Sequence, residues 1–218
     1  MPCFPPNSWE GSAYDALSQF LPHDDGMYVC NGFSVQHWMK RVTIAGDDAH
    51  GRLRRLRASV DELIEATFDD EGMPIDVSGQ KNKQAIKSAW RSIGYYGRDF
   101  GLISCYRTDL DNSRVISYVH SVLVKKQKDY GHQNIKRFGR IGLVVRMQDK
   151  VARLENLISK GIFDDGAENE SIFDNVVDVM GYSAIGIMWE NERFLLPLGE
   201  IAEAEATFRT DRVSHHRI

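Results

Sequence analysis

The sequence predicts an all-α or mainly α fold, a helical bundle. Apolar residues recur at three- and four-residue spacings through several long stretches, and helix start and stop residues bracket them. No convincing run of alternating apolar and polar residues marks a strand, so any sheet should be small. At 218 residues and 42% hydrophobic content, the chain can bury a real core as one large or two small domains.

Residues 1–9 are Pro-rich and read as a flexible arm, either loose or packed on the body or a partner subunit. Residues 10–110 read as a helical N-terminal region with no assigned role. Helical patterns cover 34–45, then 48–68 with Leu53, Leu56, Val60, Leu63 and Ile64 on one face, then 81–94. The link 69–79, with its acids, two glycines and Pro74, is the best internal boundary. Within 48–68 the run Arg52, Leu53, Arg54, Arg55, Leu56, Arg57 offers a basic patch. Its leucines continue the apolar seam and Asp61, Glu62 and Glu65 follow, so a solvated helix face is the preferred reading, and direct nucleic-acid binding stays open.

A domain at 111–196 begins where Asp111, Asn112 or Ser113 can cap a helix that runs to about Lys128. Gly131, Gly139 and Gly142 flank a polar loop. Leu143, Met147, Val151, Leu154 and Ile158 then form the apolar face of a second helix, closed by Gly161. After a polar loop at 164–169, Ser171 with Asp174 three residues on has the capping-box pattern for a third helix, to about Arg193. Residues 197–218 read as a C-terminal helix and tail.

Cys3, Cys30 and Cys105 stand at no metal-ligand spacing, and the opening residues have no basic segment followed by an apolar run. A reduced, cytoplasmic protein is expected. Glu190 and Glu192 interrupt the most hydrophobic region, and no stretch approaches the roughly 18 apolar residues of a membrane span, so no membrane partner is expected.

Charge is distributed unevenly. Between residues 114 and 160 there are eleven basic residues against three acidic ones; from 161 to 205 there are eleven acids against Arg193 alone. Neighbouring segments of opposite sign pair with each other, or divide the work of holding a polyanion and its metal, or do both.

Glu170, Asp174 and Asp178, at i, i+4 and i+8, form a stripe about 80° wide on a helix that is otherwise apolar nearly all round. Such a helix is usually buried, so these carboxylates need cationic partners. Arg146, Lys150 and Arg153 share one stripe of the preceding helix and can supply them. The result is either an interhelical salt-bridge lattice or a phosphate and magnesium site. In the second case Glu170, Asp174 and Asp178 hold the metal. Asp174, Asp178 and Lys150 then carry the chemistry, Arg146, Lys150 and Arg153 neutralise phosphate, and Lys128 is a further substrate-binding residue. In the loop after Lys128, Gly131 allows a positive-φ turn or close backbone approach. Tyr130 offers a flat surface, and Asn134 or Gln133 offers paired donors and acceptors for a base edge. The same loop also fits a plain helix-ending turn with a glycine cap. Walker-type, dinucleotide, Gly-x-Ser-x-Gly and His-Glu-x-x-His signatures are absent.

On these residues the segment from 114 to 189 resembles a phage and bacterial family, the nucleotide modification associated domain type 1. The resemblance rests on Lys128, Asp129, Tyr130 and Gly131, on Arg146, Lys150, Arg153 and Leu154, and on Glu170, Ser171, Asp174, Asp178, Gly181 and Tyr182. It implies a nucleotide-related role linked to modified-base DNA synthesis, in a host cytoplasm if phage-encoded. The turn followed by a basic and an acidic helix is also similar, more loosely, to MazG-like and dATP/dGTP diphosphohydrolase helical proteins. Those remove pyrophosphate from nucleoside triphosphates using magnesium, which implies a Mg-dependent pyrophosphohydrolase with a nucleotide or modified nucleotide as partner. Their Glu-Glu-x-x-Glu and Glu-x-x-Asp clusters are replaced here by Asp149 and Glu155 on one helix and by acids spaced by four on the next. The alternative is a non-catalytic nucleotide-binding or DNA-modification-complex accessory module.

About three helices are too few to enclose the acidic stripe. A homo-oligomer, most simply a two-fold dimer through Met188, Trp189, Phe194 and Leu195, is therefore expected. The competing arrangement folds the helices of 33–94 back over the same surface within one chain.

Overall fold

The computed structural model describes residues 4–5, 7–21, 49–76, 80–104, 112–161 and 171–199. Among them the fold is all-α, with seven helices and no strand. The helices are α1 (Trp9–Ser18), α2 (Ala49–Glu65), α3 (Gln80–Ser104), α4 (Asn112–Tyr130), α5 (Gln133–Lys136), α6 (Gly139–Ser159) and α7 (Ile172–Glu190). One isolated antiparallel bridge joins Phe68 to Pro74. The helix expected at 34–45 and the C-terminal helix expected within 197–218 fall on residues outside those described, apart from 197–199, which are not helical.

Helix α7 is the centre. Thirteen of its nineteen residues are buried, and α1, α3, α4 and α6 all pack against it. Its start is as expected: Ser171 Oγ accepts from the Asp174 N–H at 3.1 Å and the Asp174 carboxylate accepts from the Ser171 N–H at 3.2 Å, closing a capping box. Helix α6 buries Leu143, Met147, Val151, Leu154 and Ile158, and Gly161 follows its end at φ 65°.

Helix α3 runs ten residues beyond its expected end at Gly94. Glycines at 94, 97 and 101 weaken a helical pattern in sequence, but here they set a packing distance. A Cβ on Gly97 would lie 2.8 Å from Val179 Cγ1, and one on Gly101 would lie 2.5 Å from Val176 Cγ1, so the valine side chains of α7 pack directly against the α3 backbone. Gly186 on α7 returns the arrangement by accepting the indole of the buried Trp90.

The link after α2 is a tight turn. Asp69 Oδ1 accepts from the N–H groups of Glu71 at 3.1 Å and Met73 at 2.7 Å, and Gly72 takes φ 77°. It turns α2 back onto α3, and core residues from 9–20, 53–100 and 115–194 form one hydrophobic cluster. The basic run on α2 is not wholly the solvated face expected. Arg52 is 2% exposed, with Nη1 2.6 Å from Asp99 Oδ2. Burial pushes the Asp99 carboxyl above its usual value against the opposing charges of Arg52 and Arg98. Arg57 makes a paired bond to Glu155 of α6, at 2.9 and 2.8 Å.

The N-terminal arm is packed where it is described. Phe4 stacks against Tyr14 and His120 at 5.5 and 4.8 Å, Ser8 caps α1, and the Trp9 N–H donates to the Pro197 carbonyl at 2.9 Å. The residues expected to form a self-association patch lie mostly inside the chain. Met188 and Phe194 are buried inside the chain, and Phe194 meets the rings of Trp9, Trp189 and His132. Of the four residues only Leu195 is exposed. Helices α2 and α3 fold back within the chain, α3 against α7 and α2 against α3 and α6.

Two outcomes test this packing. Gly186→Ala gains about 1 kcal/mol of helix propensity but must displace buried Trp90, and overpacking costs about 1–3 kcal/mol. A net loss measured by urea unfolding is therefore expected; a gain would disprove the tight contact. His120 donates from Nε2 to the Glu10 carbonyl at 2.9 Å, and burial holds its imidazole below the ordinary histidine value despite that bond and the Glu10 charge. The unfolded chain takes up this proton first, so the stability it contributes is full above the unfolded pKa and is lost as pH falls toward the folded one. Thermal unfolding followed from about pH 7.5 to about pH 5.5 should show a steeper decline for the native chain than for His120→Gln.

Candidate functional site

A cleft of about 300 Å³ opens between the start of α1, the end of α4, the α5 turn, α6 and α7. It gathers many of the residues singled out in the sequence: Tyr130, Gly131, Asn134, Arg146, Asp178 and Tyr182 all line it. The α4 helix ends at Tyr130. Gly131, at φ 61°, donates its N–H to the Gln127 carbonyl at 2.8 Å and turns the chain into α5. A Cβ on Gly131 would meet nothing, so its role is the positive φ rather than close approach. Tyr130 is left 66% exposed at the rim, so its ring is not packed into the core.

Arg146 crosses the cleft from α6. Its Nη2 donates to Asn134 Oδ1 at 2.7 Å, its Nη1 lies 3.5 Å from the Tyr182 hydroxyl, and its guanidinium stands 6.0 Å from the Tyr182 ring centre. Among the described residues no carboxylate pairs with it. A half-buried guanidinium held by neutral partners keeps its charge available to an anion.

Asp178 is differently placed. Lys126 Nζ donates to Oδ1 at 2.6 Å and Lys150 Nζ lies 2.8 Å from Oδ2, so each carboxylate oxygen has an ammonium. Burial alone would push this carboxyl up. The hydrogen bonds and charges of the two lysines outweigh that and hold it below the usual carboxylate range. It is an ionised anchor, and a weak base.

The remaining site residues disperse. Asp174 is exposed and its carboxylate is used by the capping box. Arg153 lies 3.9 Å from Asp149 on its own helix. Lys128 is exposed and does not line the cleft, and Glu170 lies outside the described residues. The expected magnesium site therefore does not fit the donors as arranged: Asp178 is doubly occupied by lysines, Asp174 is a cap, and no three His, Cys, Asp or Glu side chains converge among the described residues.

Sequence reasoning missed Lys126, Gln127 and Trp9 as lining residues. A signal existed for two of them: Leu123, Lys126, Gln127 and Tyr130 fall on one face of α4 at three- and four-residue spacing, ending at the turn already singled out. Nothing local marked Trp9. No family model, curated protein or solved structure matches the chain.

The two lysines on Asp178 should differ in weight. The Lys150 side chain is 11% exposed and that of Lys126 49%. Lys150→Met should cost about 1–3 kcal/mol in denaturant unfolding, and Lys126→Met less than about 1 kcal/mol because water screens it. Asp178 contributes stability above its unfolded pKa and loses it as pH falls through the lower folded value, so the gap between native protein and Asp178→Asn should be widest near neutrality and shrink in acid.

Proposed function

We propose that this chain binds a nucleotide, ordinary or modified, in the cleft beside Arg146. The observation that carries the reading is the Arg146 guanidinium, oriented by Asn134 and Tyr182 and free of any carboxylate partner among the described residues. Lys126, half satisfied by Asp178, lines the same cleft from α4, so the pair of cations favours a phosphate group. Tyr130 and Tyr182 supply flat surfaces, and Leu123 and Ile185 supply an apolar interior, the combination that a phosphorylated heterocycle requires. The volume lies at the lower end of small-molecule sites, roughly 300–1,000 Å³, which suits a single nucleotide.

Resemblance to the nucleotide modification associated domain and to MazG-like proteins implies the same ligand class. Release of pyrophosphate with magnesium, which the second likeness adds, would require Asp178 to exchange Lys126 and Lys150 for a metal. Binding without turnover is therefore the reading the geometry supports best.

Calorimetry with canonical and modified deoxynucleotides, in magnesium and in EDTA, with chromatography of the mixtures, tests this. Binding that persists in EDTA, yields no product, and weakens about tenfold or more in Arg146→Ala is expected. If no nucleotide binds, or if Arg146→Ala binds as the native chain does, the assignment is wrong. Monophosphate and pyrophosphate appearing in the magnesium samples would replace binding by hydrolysis.

A further inference from the structure

Positive charge is concentrated at one corner of the fold, where α4 ends and α6 begins. Between residues 125 and 146 the sequence has seven bases and Asp129 as its only acid, in a chain whose net charge is −4. Two of the seven are committed to α7, Lys126 to Asp178 and Arg140 to Glu190. Lys125, Lys128, Lys136 and Arg137 are exposed, and among the described residues no carboxylate pairs with them. The basic run of α2 makes no such surface, because Arg52 is buried against Asp99 and Arg57 is taken by Glu155.

Two aromatic rings are exposed at the same corner. Tyr130 ends α4 and Phe138 precedes α6, one on each side of the α5 turn, and they are 66% and 63% exposed. Rings left in water beside unpaired cations mark an interaction surface. The Arg137 guanidinium stands 5.7 Å from the Phe138 ring centre, so cation and ring are presented together. Between the two rings α5 exposes the Gln133 amide, which offers both a donor and an acceptor. Ile141 and Val145, exposed at spacings of three and four from Phe138, extend the apolar strip along α6 until Gln148 and Asp149 end it.

We propose that this corner binds a single-stranded nucleic acid, with phosphates on Lys128, Lys136 and Arg137 and bases stacked on Tyr130 and Phe138. An unpaired strand offers a run of phosphates and free base faces at once, and each half has its counterpart here. A duplex hides its base faces. An anionic lipid surface would satisfy the cations, but the apolar strip it would have to bury is bounded by the Gln133 amide at one end and Asp149 at the other. Of the residues named for the strand only Tyr130 also lines the cleft, so the proposal goes beyond the nucleotide reading and does not rest on it.

Fluorescence anisotropy of the full chain with a labelled oligothymidylate of about ten nucleotides, the same strand paired with oligoadenylate, and co-sedimentation with phosphatidylserine vesicles test it. The single strand should bind at least about fivefold more tightly than the duplex, and its log affinity should fall with log salt by about 0.7 for each phosphate held. Lys136→Glu combined with Arg137→Glu should weaken the strand about tenfold or more and flatten that slope by about 1.4, two contacts' worth. Phe138→Ala should weaken it about fivefold through lost stacking. Both variants should leave calorimetric affinity for a deoxynucleotide unchanged, since neither alters a residue lining the cleft. Failure of the single strand to bind, a duplex held as tightly, or an affinity unmoved by the Lys136 and Arg137 exchange would overturn the proposal, with or without nucleotide binding in the cleft. Capture by vesicles without capture of the strand would assign the corner to lipid instead. The comparison of single strand with duplex needs no variant to fold.

Discussion

The close approach of α3 to α7 is the constraint on which the rest of the structure depends. Gly97 and Gly101 remove the side chains that would hold the two helices apart, and Val176 and Val179 fill the space. Helix α7 can then be covered on all sides, with α1 and α3 against it and α4 and α6 completing the enclosure. A helix with so few polar residues needs that coverage, since uncovered apolar surface costs roughly 25 cal/mol per Å². Within that coverage Met188 and Phe194 are core residues.

Burying α7 leaves the half-buried Asp178 carboxylate where α4 and α6 can each send a lysine. An unpaired carboxylate there would be expensive, and the two ammonium groups remove the expense by holding the acid ionised. That arrangement consumes the carboxylate as a ligand and fixes the positions of α4 and α6 relative to α7. The cleft is the space left between them. Arg146 enters it from α6, and Gln127 and Trp9 are among its lining residues. Its charge follows from which side chains the acid has already claimed.

The sequence by itself determined the helical class and the faces of most helices. Leu53, Leu56, Val60 and Leu63, and likewise Leu143, Met147, Val151, Leu154 and Ile158, recur at the helical period, and every one of them is buried. It determined the capping box at Ser171 and Asp174 and the positive-φ turn at Gly131, because both are local devices whose partners lie within a few residues. It also brought Tyr130, Asn134, Arg146 and Asp178 into consideration, and these do meet in one cleft.

Only the tertiary structure decided what those residues do. A spacing of four places Asp174 and Asp178 on one stripe, but it says nothing of where the enclosing helices stop. Asp174 falls in the exposed first turn and Asp178 one turn deeper, within reach of Lys126 and Lys150. The glycines of α3 read as weak points in a helix because their value lies in an absent Cβ, which has meaning only when a side chain of another helix fills its place. Trp9 could not be connected with the cleft from sequence, since it arrives from more than a hundred residues away along the chain. Helical period and capping are written in short-range order, whereas the pairing of charges and the lining of a cleft depend on distances between helices that no local spacing encodes.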